Sequence, residues 1–344
     1  MEAPSPAALP PERIGEEEMA RRLLAVRGRL AIVAHLRPDG DAVGASLGLC
    51  RALRDAGRDA VCVGLGPVSD VYDFLEGLDA IVPAADFVPR PGDALAVLDC
   101  GDPSRLREEL RPLLAAMPVL CIDHHVSSAG FPGSAFLVEP DAGSASEIVY
   151  RVALLAGLPV GRAAAEAFWT GIVTDTGRFS YDATSEATLR AAAGLVAAGV
   201  RTQLVAECVY GRQPLRRLRL QRRFLGSLRT AAGGRVVVGV LSPDDYLAEG
   251  CDSTDSENFV DFARSVRGCD LAAFVRRVRP DGPVNLSLRT RPPHDAAALC
   301  AEWGGGGHSA AAGATLDGPL DVAVDAIVDR LARAAESAGP APAG

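Results

Sequence analysis

Short apolar runs alternate with segments of helical period along the first half of the chain. The run LAIVAH (30–35) is apolar until it closes on a histidine, and a glycine-containing turn follows. In VGASLGLCRALRDAG, which comes next, the apolar residues recur at helical spacing. The cycle returns at DAVCVGLG, DALAVLDCGD and MPVLCIDHH. Short buried strands alternating with helices predict an α/β domain, a parallel sheet with helices on both faces. Ligands of such sheets gather beyond the carboxyl ends of the strands. His35, Asp99 and Asp123-His124-His125 all fall at or just past predicted strand ends. Polar residues from three strands should therefore converge on one edge.

Helical patterns over 144–156 and 162–174 lead into GIVTDTGRFSY, and 185–229 reads as helices. That stretch contains RRLRLQRRFLGSLR, whose leucines recur at helical spacing, so its arginines are read as the solvated face of a connecting helix. After Gly233-Gly234 the pattern changes. RVVVGVLS, CDLAAFVRRV and PVNLSLRTR read as strands, with a helix near 255–267. HDAAALCAEW reads as a helix before a glycine-rich turn. The chain should thus hold a disordered lead-in (1–14), a first domain (15–190) and a helical linker (191–230). A smaller α+β domain (231–335) and a disordered tail (336–344) complete it.

A length of 344 residues suits two domains, each with its own core. No apolar run approaches the ~20 residues needed to cross a bilayer. The acidic, Pro/Ala-rich start lacks the basic and apolar regions of a signal peptide. A cytoplasmic protein without a membrane partner is expected. The eight cysteines show no CxxC pair and most sit in apolar surroundings, as reduced core residues would. Net charge is −9, and all positive charge other than histidine is arginine. Such a chain is poorly suited to long duplex DNA, which is held by neutralising many phosphates. A small phosphate ligand in a local pocket remains compatible, since the planar arginine fork holds phosphate well.

The densest chemistry lies in His35-Leu36-Arg37-Pro38-Asp39-Gly40-Asp41, where Pro38 and Gly40 favour a tight turn after a buried strand. Asp39 or Asp41 could cap the following helix, but a single cap leaves the other aspartate and the histidine unexplained. Asp99 and Asp123-His124-His125 follow apolar runs where an unpaired charge is costly. Asp175, in TDTG, is read as lying just after a helix. Carboxylates mixed with imidazoles suit manganese, iron or zinc better than calcium or magnesium. Two such ions ~3.5–4 Å apart can clamp a phosphoryl group and activate water.

These residues resemble the DHH phosphoesterase superfamily. The match runs through H-x-x-P-D-G-D (35–41), D-C-G-D (99–102), D-H-H (123–125) and T-D-T-G (174–177). S-L-R (287–289) and G-G-G-G-H-x-x-A-A-G (304–313) resemble the accompanying DHHA1 domain. The resemblance implies a catalytic first domain with two divalent ions, manganese being usual. One ion would be held by His35, Asp39 and Asp99, and the other by Asp41, Asp99, His124 and Asp175. Asp99 would bridge them, Asp123 would orient a ligand histidine, and His125 would lie near the scissile phosphate. The catalytic residues would be His125, Asp99 and Asp123.

The glycine run of the second half has a physical reading of its own. Successive amides without side chains can form an anion nest, with Arg289 and His308 adding charge. Arg289, Gly305, Gly306, Gly307 and His308 are therefore the substrate-binding candidates. Ser309 and Ala310 stand where relatives often carry a basic residue, and Arg178 could compensate. Length and two-domain organisation resemble the oligoribonuclease/3′-phosphoadenosine-5′-phosphate phosphatase group. The expected substrates are short single-stranded RNA, including linear dinucleotides, and nucleotide phosphates. An exopolyphosphatase or pyrophosphatase activity, or a non-catalytic nucleotide sensor, is the alternative. A homodimer is left open.

Overall fold

The computed structural model describes residues 9–338. The chain divides after Arg212 into two compact units.

The first unit is built on six parallel strands. They are β1 (Glu12–Arg13), β2 (Leu30–Ala34), β3 (Ala60–Cys62), β4 (Ala94–Leu98), β5 (Val119–Asp123) and β6 (Ala135–Val138), in the order β1-β6-β5-β4-β2-β3. Alternate residues of each strand point to opposite faces. Leu30, Ile32, Ala96, Leu98 and Ile122 join a core with α1 (Glu16–Ala25), α2 (Gly40–Asp55), α4 (Ala145–Leu155) and α5 (Arg162–Asp175). Ala31, Val33, Leu95, Val97 and Cys121 face the other way. They are covered by Phe87, Leu106, Leu110 and Phe131 and by the one-turn helix α3 (Leu113–Ala116). From β2 the chain passes through α2 to β3 on one side, and later adds β4 on the other. The carboxyl ends of β2 and β4 therefore flank the crevice where such sheets bind ligands.

Two sequence expectations need correction here. Residues 9–14 are not a disordered lead-in. Glu12 N and Ile14 N donate to the carbonyls of Ser134 and Phe136, at 2.8 and 2.9 Å, and the Arg13 guanidinium donates to Val138 O at 3.0 Å. A two-residue polar edge strand has no hydrophobic period to announce it, and its partner β6 is not predicted either. Residues 1–8 lie outside the described residues. At the other end, Glu336 and Ser337 belong to α12 (Leu320–Ser337), while 339–344 lie outside the described residues.

The expected linker 191–230 is shared between the units. Leu195 of α6 (Glu186–Ala197) and Val205 of α7 (Thr202–Ala206) are buried in the first unit's core. Leu220 and Phe224 of α8 (Leu215–Gly226) are buried in the second. The arginines of α8 are largely engaged rather than merely solvated. Arg216 and Arg223 pair with Asp255 and Glu249 at 3.1 and 2.6 Å, and Arg217 donates to the carbonyls of Thr254, Asp255 and Glu257.

The second unit carries β7 (Arg229–Ala231), β8 (Val236–Leu241), β9 (Leu271–Arg276), β10 (Val284–Thr290), β11 (Gly306–Gly307) and β12 (Ala311–Leu316). Their order is β11-β12-β10-β9-β8-β7, and only β8 and β9 pair in parallel. One face packs on α11 (Ala296–Ala301) and α12, the other on α8 and α10 (Val260–Arg264). Between β8 and β9 the chain also forms α9 (Pro243–Glu249). All eight cysteines are unpaired, and Cys251 alone is more than marginally exposed. No single helix among the described residues is long and apolar enough to cross a membrane.

Candidate metal centre

Five elements of the first unit deliver the predicted ligands. His35 and Asp99 stand at the carboxyl ends of β2 and β4, and Asp123 ends β5, with His124 and His125 directly after it. Asp39 and Asp41 open α2, and Asp175 is the last residue of α5 rather than part of a loop beyond it. Asp39 does cap α2, its Oδ1 accepting from the amides of Asp41 and Ala42 at 3.1 Å each. Asp41 caps a different helix. Its Oδ2 and Oδ1 accept from Ala145 N and Ser146 N, at 2.6 and 2.8 Å, at the start of α4. A carboxylate suits that position because a helix N-terminus carries partial positive charge.

Close helix packing brings Asp175 into range. Gly40, Gly44 and Gly48 form a stripe along α2 where it meets α5. A Cβ at Gly44 would lie 2.8 Å from Gly171 N, and one at Gly48 would lie 2.5 Å from the Phe168 ring. Gly171 answers from α5, where a Cβ would come within 2.8 Å of Asp41 Oδ1. The fourfold glycine spacing is present in the sequence, but only packing gives it meaning.

The side chains gather into overlapping groups: His35, Asp39 and Asp99; Asp41, His124 and Asp175; Asp99, His124 and His125. His35 Nε2 lies 3.3 Å from Asp99 Oδ2 and 3.8 Å from Asp39 Oδ1. His124 Nε2 lies 3.4 Å from Asp175 Oδ2, 3.6 Å from Asp99 Oδ1 and 3.8 Å from Asp41 Oδ2. Asp99 touches both sets, at a backbone φ of 53° that a non-glycine residue rarely adopts. Such strain clusters at functional sites, where the surroundings enforce it.

Each histidine is oriented by its Nδ1. That of His35 lies 3.0 Å from Leu36 O and that of His124 lies 3.3 Å from Ala142 O. A carbonyl only accepts, so in the neutral ring the proton sits on Nδ1 and Nε2 is left as the ligating nitrogen. His125 is turned the other way. Its Nδ1 donates to Asp123 Oδ1 at 2.7 Å, and the same oxygen accepts from the amides of His124 and His125. The residue whose ring Asp123 orients is thus His125, and its hydrogen bond to His124 is to the backbone amide.

The donor set fits divalent cations. His35 Nε2 and Asp99 Oδ1 are buried without a hydrogen-bond partner, an arrangement that is costly unless a cation completes it. The titration of the cluster says the same. Burial raises the pKa of Asp41, and the Asp99 charge adds to it, bringing it to about 7. Burial and then the Asp41 charge push Asp175 well above the usual carboxylate range. Burial lowers the His35 pKa, but the adjacent carboxylates of Asp39 and Asp99 outweigh it and raise it to about 10. For His124 burial is again overcome, by Asp41, Asp175, Asp99 and Asp123, to about 9. Protons here do the neutralising that metal ions would do.

In the second unit the glycine run is not a nest of open amides. Gly304 N and Gly305 N donate to Ala301 O and Cys300 O and terminate α11, and His308 N donates to Ala311 O at 2.8 Å. Gly306 and Gly307 form β11 against Gly313 and Ala312. Glycine is required at 307 because a Cβ would lie 2.6 Å from Ala312 Cα, at a φ of 147°. Arg289 on β10 pairs across with Ala311, which closes the hairpin with His308. Directly paired residues share a sheet face, so Arg289, Ala311 and His308 form one row. Arg289 Nε lies 3.8 Å from Asp261 Oδ1. Arg178, in the first unit, has a φ of 63° and stacks over Tyr210 at 4.9 Å.

The fold and this cluster define a phosphoesterase of the DHH family, and the chain belongs to it: residues 29–199 match the DHH family, N-terminal domain. Within the family it is similar to the bifunctional oligoribonuclease and PAP phosphatase NrnA of Thermus thermophilus. Identity is 34% over 328 residues, covering 93% of this chain and 94% of that one. NrnA of Bacillus subtilis is 26% identical over 298 residues, covering 86% and 91%. The fold matches that of an exopolyphosphatase-related protein from Bacteroides fragilis with a TM-score of 0.85 at 23% identity, covering 93% and 97%.

Proposed function

We propose that this protein hydrolyses short oligoribonucleotides, such as the linear dinucleotides pApA and pGpG, to mononucleotides, and 3′-phosphoadenosine-5′-phosphate to AMP. The observation that carries the reading is the pair of ligand sets meeting at Asp99, with two buried ligand atoms that lack hydrogen-bond partners. Similarity to the NrnA proteins over nearly the whole chain supports the substrate class.

His35, Asp39 and Asp99 would hold one divalent ion, most consistently manganese, and Asp41, Asp99, His124 and Asp175 the second. When bound, such ions neutralise phosphoryl charge and lower the pKa of water. The protein's own part is positional. Helix and strand ends fix every donor before substrate arrives, so little reorganisation is needed as charge develops. Asp123 holds the His125 imidazole through Nδ1, and His125 would meet the substrate through Nε2, stabilising charge on the phosphoryl group or protonating the leaving oxygen. Arg289, Gly305, Gly306, Gly307 and His308 are the candidates for binding substrate phosphate, through side-chain charge and a surface of small residues rather than a nest. A cytoplasmic location accords with these substrates.

The test uses purified protein with Mn2+ and four substrates: a 5′-phosphorylated RNA dinucleotide, a 24-mer RNA, 3′-phosphoadenosine-5′-phosphate and pyrophosphate. Rapid release of mononucleotides from the dinucleotide, slow attack on the 24-mer and cleavage of the bisphosphate are expected. Turnover of pyrophosphate alone would overturn the substrate assignment. No turnover of any ester would favour a nucleotide sensor.

A further inference from the structure

Glu147 on α4 is completely buried, yet it lies outside the metal cluster. Its Oε2 accepts from Gly143 N at 3.0 Å and from Thr188 Oγ1 at 2.7 Å. Its Oε1 accepts from Arg151 Nη1 at 2.7 Å, and Arg151 is also held by Glu16 and Glu139. A carboxylate at this depth is tolerable only when paired and hydrogen-bonded, so its neighbours are held to one arrangement.

What it holds is the turn 142–146, and both ends of that turn touch candidate metal ligands. At one end Ala142 O sets the proton of the neutral His124 ring on Nδ1. At the other, the amides of Ala145 and Ser146 grip both oxygens of Asp41. Gly143, bonded to Glu147, lies between them, and a Cβ there would be 2.9 Å from Thr188 Oγ1. Two ligands remote in sequence are thus tied to one turn, and that turn to one buried carboxylate.

We propose that Glu147 is a positioning residue for the metal centre, acting through the turn 142–146 on Asp41 and His124. This rests on the metal-ligand reading above. Because Asp41 and His124 both belong to the second proposed ion, loss of Glu147 should weaken that ion and spare the one at His35. A side chain that merely stabilised the fold would not discriminate between them.

The experiment titrates Mn2+ into the full chain and follows the free ion by electron paramagnetic resonance. Melting in chelator verifies that each variant is folded. Glu147→Gln keeps the volume but removes the charge; Thr188→Val removes the hydroxyl that donates to Glu147, and Thr188→Ser restores it. One of two Mn2+ ions is expected to bind about 10–100-fold more weakly in Glu147→Gln. The same ion should weaken less in Thr188→Val and return to native affinity in Thr188→Ser, with kcat lowered more than KM is raised. Native affinity for both ions in folded Glu147→Gln would overturn the proposal, as would equal weakening of both. If that variant does not fold, the Thr188 pair decides, and native binding by Thr188→Val overturns it. Asp41→Asn separates the two readings: if it also binds both ions natively, the metal-ligand reading fails and this proposal fails with it.

Discussion

The strand ends of the first unit and the glycine hairpin of the second carry the candidate functional residues, and they are built oppositely. At the strand ends the charged groups are mostly buried, close together and held by hydrogen bonds from elements far apart in sequence. His35, Asp41, Asp99 and Asp123 are all under a tenth exposed. On the hairpin, Arg289 is partly exposed, His308 is exposed and the amides of Gly304, Gly305 and His308 are already used within the sheet and helix end. Burial concentrates electrostatic energy and makes the first region suited to chemistry. An exposed face of small residues suits recognition, where affinity is gained by side chains closing on a ligand. Damage to the two regions should therefore be read in different constants.

The largest effect is expected at Asp99, the residue common to both ligand sets. Asp99→Asn should lower kcat by on the order of 10³-fold or more, beyond the ~10–100-fold typical of losing an outer partner. Steady-state assays on the 5′-phosphorylated dinucleotide check this, and near-native kcat would remove the contrast between the regions. Gly44→Ala comes next. Helix propensity alone would favour alanine by ~1 kcal/mol, but its Cβ would overlap the α5 backbone. Overpacking should win and leave a net loss of about 1–2 kcal/mol, read as a lower Tm, with weaker Mn2+ binding as Asp175 shifts. A Tm that rises would mean that α2 and α5 can separate freely.

His308→Ala should act on the other constant. Losing one charge-assisted hydrogen bond, ~1.5–3 kcal/mol, should raise KM about 10- to 100-fold with kcat within about twofold. A fall in kcat at constant KM would instead place this residue in the chemistry.

The smallest effect is on the pH dependence of stability. In the metal-free protein Asp41 retains its proton up to about 7, whereas an unfolded carboxyl titrates near ~4. The folded state then binds more protons across that interval, so stability falls as pH rises through it. His35, raised to about 10, has the same sign: its contribution is complete below ~6.5 and is lost as pH climbs toward 10. Asp123, held below the ordinary range against its burial by the His125 hydrogen bond, acts oppositely, and only at acid pH. The Tm gained on adding Mn2+ should therefore increase from pH 6 to pH 8. Melting curves with Mn2+ and with chelator test it, and a gain that shrinks with pH would contradict the cluster's charge balance.

Much of the centre is legible in the amino-acid sequence. His35, Asp99 and Asp123 end apolar runs, and a buried parallel strand must stop where charge begins, so these residues mark one sheet edge by pattern alone. Asp175 is located by its motif but reads as lying beyond its helix, because helix ends carry weak local signals. Three strands of the second sheet, β8, β9 and β10, are legible by pattern, whereas β7, β11 and β12 are not, and the amides of its glycine run read as open and are not. Whether an amide is open depends on a partner strand that composition does not reveal. β1 escapes the pattern because two polar residues at a sheet edge have no period.

Glu147 and the α2 glycines show the remaining divide. Ser144-Ala145-Ser146-Glu147 carries the spacing of a capping box, and Ser144 does accept from Glu147 N at 3.0 Å. Nothing local says that the carboxylate turns instead to Gly143, Thr188 and Arg151. Sequence by itself determined the chemical types and the strand-end positions of the cluster, because hydrophobic periodicity and turn chemistry are local. Tertiary structure alone decided which carboxylates gather around each histidine, which histidine nitrogen faces them and which buried acid holds the turn beside them. Those outcomes depend on distances of roughly 3–4 Å, the reach of hydrogen bonds and ion pairs, between residues far apart along the chain.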